Sequence, residues 1–340
     1  MNFMLKDENA IYYECGYSCD NALYLSLGSE AYFITDGRYT IEASTLVQNA
    51  KVVITHHLTE KALEILNQSS VKKVYFDPKE WRYAEMIKMK EEGRCQFVEK
   101  ENLSHLKRII KREDEILFLE KAVQKGKKAF KAFAHFLEEK GEGYDEYTLT
   151  HFAKSYLSYE GKYALSFDPI VAIGQNAAKP HALPTKRRLK KGDLLLFDAG
   201  LKYKRYCSDR TRTLFFEKGS RFSKQQHFSK KKIQKAYDTV LKAHDRAIAG
   251  ACSGMKAYQV DALSRHIIDK AGFGAYFVHS TGHGVGLDIH EMPYISQRSQ
   301  TKIEDGMVFT IEPGIYLPET FGIRIEDMVV MVDGKAKVLS

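Results

Sequence analysis

Over the first hundred residues, short apolar runs with a two-residue rhythm alternate with stretches whose apolar positions recur every three or four. The runs ALYLSL (22–27), AYFIT (31–35), AKVVITH (50–56) and KKVYFD (72–77) predict strands, and LTEKALEILNQ (58–68) and WRYAEMIKMKEEG (81–93) predict helices. This is the pattern of a small α/β domain. At LKRIIKREDE (106–115) the pattern gives way to charge. It then opens a long amphipathic helix over 114–143, with Ile116, Leu119, Val123, Phe130, Phe133 and Phe136 as its buried stripe. A boundary near residue 110 follows, giving domains 1–110 and 111–340.

A second helix pattern spans 144–161 and precedes the strand run FDPIVAIG (167–174). Two more helices read at 233–251 and 256–272, and the remaining elements are strands. The second domain therefore runs helix, helix, strands, and then the same again. That order predicts an α+β domain of long helices on an antiparallel sheet, with two similar halves.

Composition adds little to this picture and removes several alternatives. A chain of 340 residues with 44% hydrophobic and 28% charged residues is ordinary globular material for about two domains. No apolar run reaches the length of a membrane span, and the N-terminus carries acids where a signal peptide would be apolar. Five cysteines at irregular spacings (15, 19, 95, 207, 252) read as reduced thiols, so a cytoplasmic location is expected. The net charge of +8 is concentrated in KRRLKKG (186–192) and SKKKIQK (229–235). These clusters lack interleaved aromatics and are read as solvated rims, with no nucleic-acid or membrane partner. The segment 218–234 is read as a basic surface excursion.

The chemistry lies in acids. No G-x-S-x-G elbow, Walker loop or H-E-x-x-H is present, and the G-x-G-x-G around His283 is not a dinucleotide fingerprint. In LLLFDAGLKYKRYCSDRTRTLFF (194–216), a turn centred on Tyr203 and Lys204 would set Asp198 opposite Asp209. In VFTIEPGIYLPETFGIRIEDMVV (308–330), a turn near Glu319 would set Glu312 opposite Glu326. Like charges facing each other in a ladder repel unless a cation lies between them. Four carboxylates with one imidazole, His283, and no thiolate suit two divalent ions, with manganese, cobalt or iron favoured over a structural zinc. Paired ions of this kind hold a bridging hydroxide as nucleophile and polarise a carbonyl. The glycines around His283 are expected to let the backbone approach the metals.

HALPT, FDAG, SDRTRT, STGHGVGLDIHE, FTIEPGIY and GIRIED stand in an order and spacing that resembles the pita-bread metallopeptidases of family M24B, nearest to bacterial Xaa-Pro aminopeptidases and Xaa-Pro dipeptidases. The likeness covers nearly the whole chain, since residues 8–43 resemble the start of the creatinase-like N-terminal domain of those enzymes. It implies metal ligation by Asp198, Asp209, His283, Glu312 and Glu326, with Asp209 and Glu326 bridging. It also assigns His181, His279, His290 and Arg324 to the substrate side. Glu312 would take and return a proton, His181 and His290 would hydrogen-bond the carbonyl or oxyanion, and Arg324 would orient a carboxylate. The expectation is a cytoplasmic, homodimeric Xaa-Pro aminopeptidase holding two divalent ions, most simply Mn2+ with Co2+, Fe2+ or Zn2+ possible, acting on peptides with proline second. The alternatives are a dipeptidase (prolidase) of the same fold and a non-catalytic binding module. Modules of that kind lose ligands, whereas all five positions here are filled.

Overall fold

A computed structural model describes every residue from Met1 to Ser340. The chain divides into two compact units, Met1–Arg108 and Ile109–Ser340.

The first unit is built on strands β1 (Phe3–Leu5), β2 (Ala22–Leu27), β3 (Glu30–Thr35), β4 (Lys51–Ile54), β5 (Lys73–Phe76) and β6 (Gln96–Glu99), in the order β4-β3-β2-β1-β5-β6. The helices are α1 (Glu8–Cys15), α2 (Thr40–Leu46), α3 (Leu58–Gln68), α4 (Tyr83–Glu92) and α5 (Leu103–Arg108). Alternation along the strands sends Met4, Leu23, Leu25, Ile34 and Val74 into one core with Leu63, Leu66 and Met89 of α3 and α4. It sends Phe3, Leu5, Tyr24 and Phe33 into another with Ala10, Ile11 and Ala43 of α1 and α2. Helices therefore cover both faces of the sheet. The central β1 and the edge strand β6 were not predicted: β1 has only three residues, too few to show a period, and β6 has only Phe97 and Val98 as apolar residues between Gln96 and Glu99.

The second unit opens with α6 (Glu113–Phe136), which is followed by one π-helical turn over Leu137–Gly141, and α7 (Glu146–Ser158). Then come β7 (Ile170–Ile173), β8 (Leu194–Asp198), β9 (Lys202–Tyr203), β10 (Tyr206–Cys207) and β11 (Thr211–Phe215). The order repeats with α8 (Lys231–Gly250), α9 (Ala257–Lys270), β12 (Gly282–Gly284), β13 (Glu291–Ile295), β14 (Val308–Ile311), β15 (Gly314–Leu317), β16 (Phe321–Arg324), β17 (Asp327–Val332) and β18 (Lys335–Val338). All pairings in this unit are antiparallel. The fold is the α+β pita-bread arrangement.

Strand β8 shows how the layers close. Leu195 and Phe197 face α6 and α7, where the Phe130 and Phe197 rings lie 4.3 Å apart. Leu194 and Leu196 face α8. The stripe on α6 is as expected except at Ile116, which is half-buried. Glu115 is buried instead, with its carboxylate accepting a hydrogen bond from Tyr206 Oη at 2.9 Å. The segment 218–234 runs along the surface with its basic residues largely exposed, but it is anchored there, because Phe222 and Phe228 are buried in the two cores. No helix is long and apolar enough to cross a membrane.

Candidate active site

Two hairpins carry the acids. In the first, Lys204 and Arg205 take positive φ of 48° and 68°, a tight turn that matches the right-handed strand twist. Tyr203 therefore pairs with Tyr206, and Asp198 falls opposite Thr211. Asp209 is not opposite Asp198, as the sequence suggested. The ladder is displaced by two residues, and Asp209 comes level with Gly200, between the Ala199–Arg210 and Leu201–Ser208 bonds. The displacement follows from Tyr203 and Tyr206, whose rings lie 6.3 and 5.5 Å from Phe118 of α6 and hold the turn one residue further on. A shift of two preserves the face, so both aspartates still reach the same side. Gly200 is required here: a Cβ would lie 1.8 Å from the Ser208 carbonyl oxygen.

The second hairpin keeps the expected register. Ile311 pairs with Asp327 and Gly314 with Arg324, which brings Glu312 opposite Glu326. The hairpins join edge to edge, since Glu326 N donates to Thr211 O at 3.1 Å and Thr211 Oγ1 donates to Glu326 Oε2 at 2.7 Å.

His283 arrives from β12, between β13 and β14. A Cβ on Gly282 would lie 1.9 Å from the Thr310 carbonyl oxygen, and one on Gly284 would lie 2.2 Å from that of Met292. The expectation that these glycines open the backbone to metal is thus corrected: they let the neighbouring strands close on the His283 strand. The His283 backbone N–H donates to Thr310 Oγ1 at 3.1 Å, and its Nδ1–H donates to the Gly284 carbonyl at 3.1 Å. Because a carbonyl can only accept, Nε2 keeps its lone pair, which lies 3.4 Å from Glu312 Oε1 and 3.7 Å from Asp209 Oδ2.

All nine residues singled out in the sequence line one cavity of about 530 Å3 in this unit. Donor atoms of Asp209, His283 and Glu326 lie within 4.8 Å of one another, a group able to hold a metal ion. Asp198 lies on the Arg324 side, with its Oδ2 accepting from Nη2 at 2.5 Å. His181 is exposed at the rim, and His290 is partly open to solvent, with its ring half-desolvated and edge-on to His283 at 4.3 Å. The next residue, Glu291, opens β13 and is buried in an ion pair with Lys111 at 2.5 Å, which fixes the chain directly after His290. His279 uses both nitrogens within the protein: Nδ1 donates to the Ser280 carbonyl at 2.7 Å, and Nε2 lies 2.9 Å from Tyr316 Oη.

The electrostatics describe a site short of positive charge. Burial, and then the neighbouring carboxylates Glu326, Asp198 and Glu312, push Asp209 well above the usual carboxylate range. Burial, Glu312 and Asp198 do the same to Glu326, and burial raises Glu312. Burial also lowers His283, His279 and His290, keeping the imidazoles neutral. Arg324, held well above its ordinary value by Tyr316 and the acids against the effect of burial, is the one permanent cation among them. One oxygen, Asp198 Oδ1, is buried with no hydrogen-bond partner. Clustered carboxylates that resist ionisation, an orphaned oxygen and an imidazole lone pair turned inward together fit divalent metal.

Four contributors went unnoticed in the sequence. Thr310 bonds Glu312, two residues away on the same strand face, and Thr211, two residues from Asp209, bonds Glu326 across the junction of the hairpins. Tyr316, pushed up to about 12 by burial, accepts from Arg324 Nη1 at 2.6 Å and donates to neutral His279. Asp261 of α9 holds Arg265 at 2.7 Å, and Arg265 Nη2 donates to the His279 carbonyl at 2.9 Å. The hydroxyls were visible as polar positions in step with the acids in SDRTRT and FTIEPGIY. Asp261 had no such signal.

The model of metallopeptidase family M24 matches residues 118–333. An Xaa-Pro dipeptidase of Pyrococcus furiosus is 40% identical over 253 residues, covering 72% of this chain and 69% of that one. Among solved structures, an Xaa-Pro dipeptidase from Bacillus anthracis superposes with a TM-score of 0.90 at 31% identity, covering 99% of this chain and 92% of that one. An X-Pro aminopeptidase from Thermotoga maritima superposes with a TM-score of 0.88 at 27% identity, covering 99% and 94%.

Proposed function

The chain belongs to metallopeptidase family M24, and from that premise we propose that it hydrolyses the Xaa-Pro bond at the N-terminus of peptides with two divalent ions, manganese first among them. The carrying observation is the convergence of Asp198, Asp209, His283, Glu312 and Glu326 on one cavity with His181, His279, His290 and Arg324. Asp198, Asp209, His283, Glu312 and Glu326 would hold the ions. Bound divalent ions there would polarise the scissile carbonyl and make water a stronger acid.

The chain's own residues do the rest. Glu312, made a stronger base by its burial, takes the proton lost by the water that bonds to the scissile carbonyl carbon and delivers it to the proline nitrogen, a poor leaving group until protonated, as the C–N bond breaks. His290, kept neutral by burial and by His283, has one N–H to give the carbonyl oxygen as it gains charge, and His181 at the same rim provides a second donor. Arg324 holds Asp198 by one nitrogen while two others bond Thr211 and Tyr316, so the acid is fixed before substrate arrives.

The test is turnover by the manganese-loaded protein of Ala-Pro and Ala-Pro-Ala against Ala-Ala-Ala. Cleavage only before proline supports the reading, and equal cleavage of Ala-Ala-Ala sinks it. A dipeptidase is the second reading, supported by the names of the P. furiosus and B. anthracis proteins. Turnover of Ala-Pro without Ala-Pro-Ala selects it.

A further inference from the structure

Two side chains lining the cavity carry a permanent positive charge, and only one of them is free to change partners. Arg324 is committed: Nε donates to Thr211, Nη1 to Tyr316 and Nη2 to Asp198, and the side chain is buried. Lys154, on α7, has a single ionic partner, Asp168, at 2.7 Å. The two side chains are 42% and 86% exposed, so the pair is worth little and opens readily. One helical turn before Lys154, on the same face, Thr150 also lines the cavity, and its Oγ1 is buried without a hydrogen-bond partner. Phe167 and Ile170, which flank the Asp168–Pro169 pair, line the cavity as well and supply apolar surface.

Resting on the proposed Xaa-Pro peptidase reading, we infer that Lys154, with the Thr150 hydroxyl beside it, is a specificity-determining cation that takes a carboxylate of the substrate in exchange for Asp168. Arg324 is already engaged by Asp198, Thr211 and Tyr316, which leaves Lys154 as the cation able to change partners. A carboxylate that reaches Lys154 while the scissile bond lies over the acids replaces the weakly held Asp168 and brings an acceptor to Thr150. Two substrate groups have this chemistry: the side chain of an acidic first residue, and the α-carboxylate that ends an Xaa-Pro dipeptide.

The experiment measures kcat and KM of the manganese-loaded full chain on Ala-Pro, Ala-Pro-amide, Glu-Pro-amide and Gln-Pro-amide, for wild type, Lys154→Ala, Lys154→Arg and Thr150→Val. Lys154→Ala is expected to raise KM about fivefold, the scale of one partly exposed ion pair, for a carboxylate-bearing substrate relative to its uncharged counterpart. A change in the Ala-Pro to Ala-Pro-amide ratio identifies the α-carboxylate as the partner, and a change in the Glu-Pro-amide to Gln-Pro-amide ratio identifies the acidic side chain. Lys154→Arg restores the ratio, and Thr150→Val moves it in the same direction by less. Unchanged ratios, or an equal loss on all four substrates, overturn the inference while leaving the peptidase reading intact. No turnover of any of the four by the wild type overturns both.

Discussion

Glu326 and Asp327 are neighbours in the chain, both buried, and opposite in electrostatic state. Glu326 faces the cavity, where its one hydrogen-bond donor is the Thr211 hydroxyl, and burial with Glu312 and Asp198 raises it. Asp327 faces the other way. Arg212 Nη2 reaches it at 2.6 Å, Lys224 Nζ at 3.2 Å and His244 Nε2 at 3.3 Å. Burial works against its charge, but His244, Arg212 and Lys224 overcome that and hold it below the usual carboxylate range. Thr211 and Arg212 divide in the same manner, and Arg212 also donates to the Glu326 carbonyl at 2.5 Å from behind. The same pair of strands thus has one face whose buried charge the protein neutralises itself and one whose neutralisation is left to something else. Buried acid alone does not mark a metal site; buried acid in excess of the protein's own cations, as here with Arg324 alone against four carboxylates, fits one.

Four experiments test that division. The largest expected effect is on chemistry at the cavity face: Glu312→Ala lowers kcat about 10²- to 10⁴-fold with the fold retained by circular dichroism. Near-wild-type turnover would remove Glu312 from the proton path. On the rear face, Asp327→Ala leaves the Arg212 guanidinium buried and uncompensated, and is expected to destabilise by about 3–5 kcal/mol in urea unfolding. A loss under 1 kcal/mol would mean that the rear network is not structural.

Third, manganese at about a hundred times its dissociation constant should stabilise the wild type by about 2.7 kcal/mol over chelator-treated protein and should do so far less in Glu326→Gln. Identical shifts in the two proteins would place the metal elsewhere. The smallest effect is on pH dependence. With Asp209, Glu312 and Glu326 raised in the folded state, the metal-free protein holds protons that the unfolded chain has released above about pH 4. Its stability therefore falls as pH rises through that window, by up to about 1.4 kcal/mol per unit per proton. Asp327, being lowered, contributes the opposite slope: its stabilisation is present above about pH 4 and is lost on acidification. Saturating manganese should flatten the first slope and leave the second, and a metal-independent profile would contradict the comparison.

What could be read from the sequence follows the same line between faces. The doubled order of helix pairs and antiparallel strands was legible because the helices are long and strongly periodic. The Glu312–Glu326 register was legible because the spacing is symmetric about Glu319. The first hairpin was misjudged by two residues because its turn is set by Tyr203 and Tyr206 against Phe118, a contact that links residues far apart in the chain. The rear network was invisible for the same reason: Arg212, Lys224, His244 and Asp327 are unremarkable charges until the strands and α8 bring them together. Phe222 and Phe228 were hidden by the basic residues around them.

The back-to-back placement of consecutive side chains also limits how these ribbons can change length. Inserting or deleting a single residue within β11, or between Arg324 and Asp327, would exchange the two faces. A guanidinium would enter the reaction chamber, and a catalytic acid would turn towards α8. Growth is tolerated only at the exposed tips around Lys204 and Glu319, where added loops leave the frame intact. Descendants of this architecture can therefore diversify at their turns, while the ladder between them stays locked in parity.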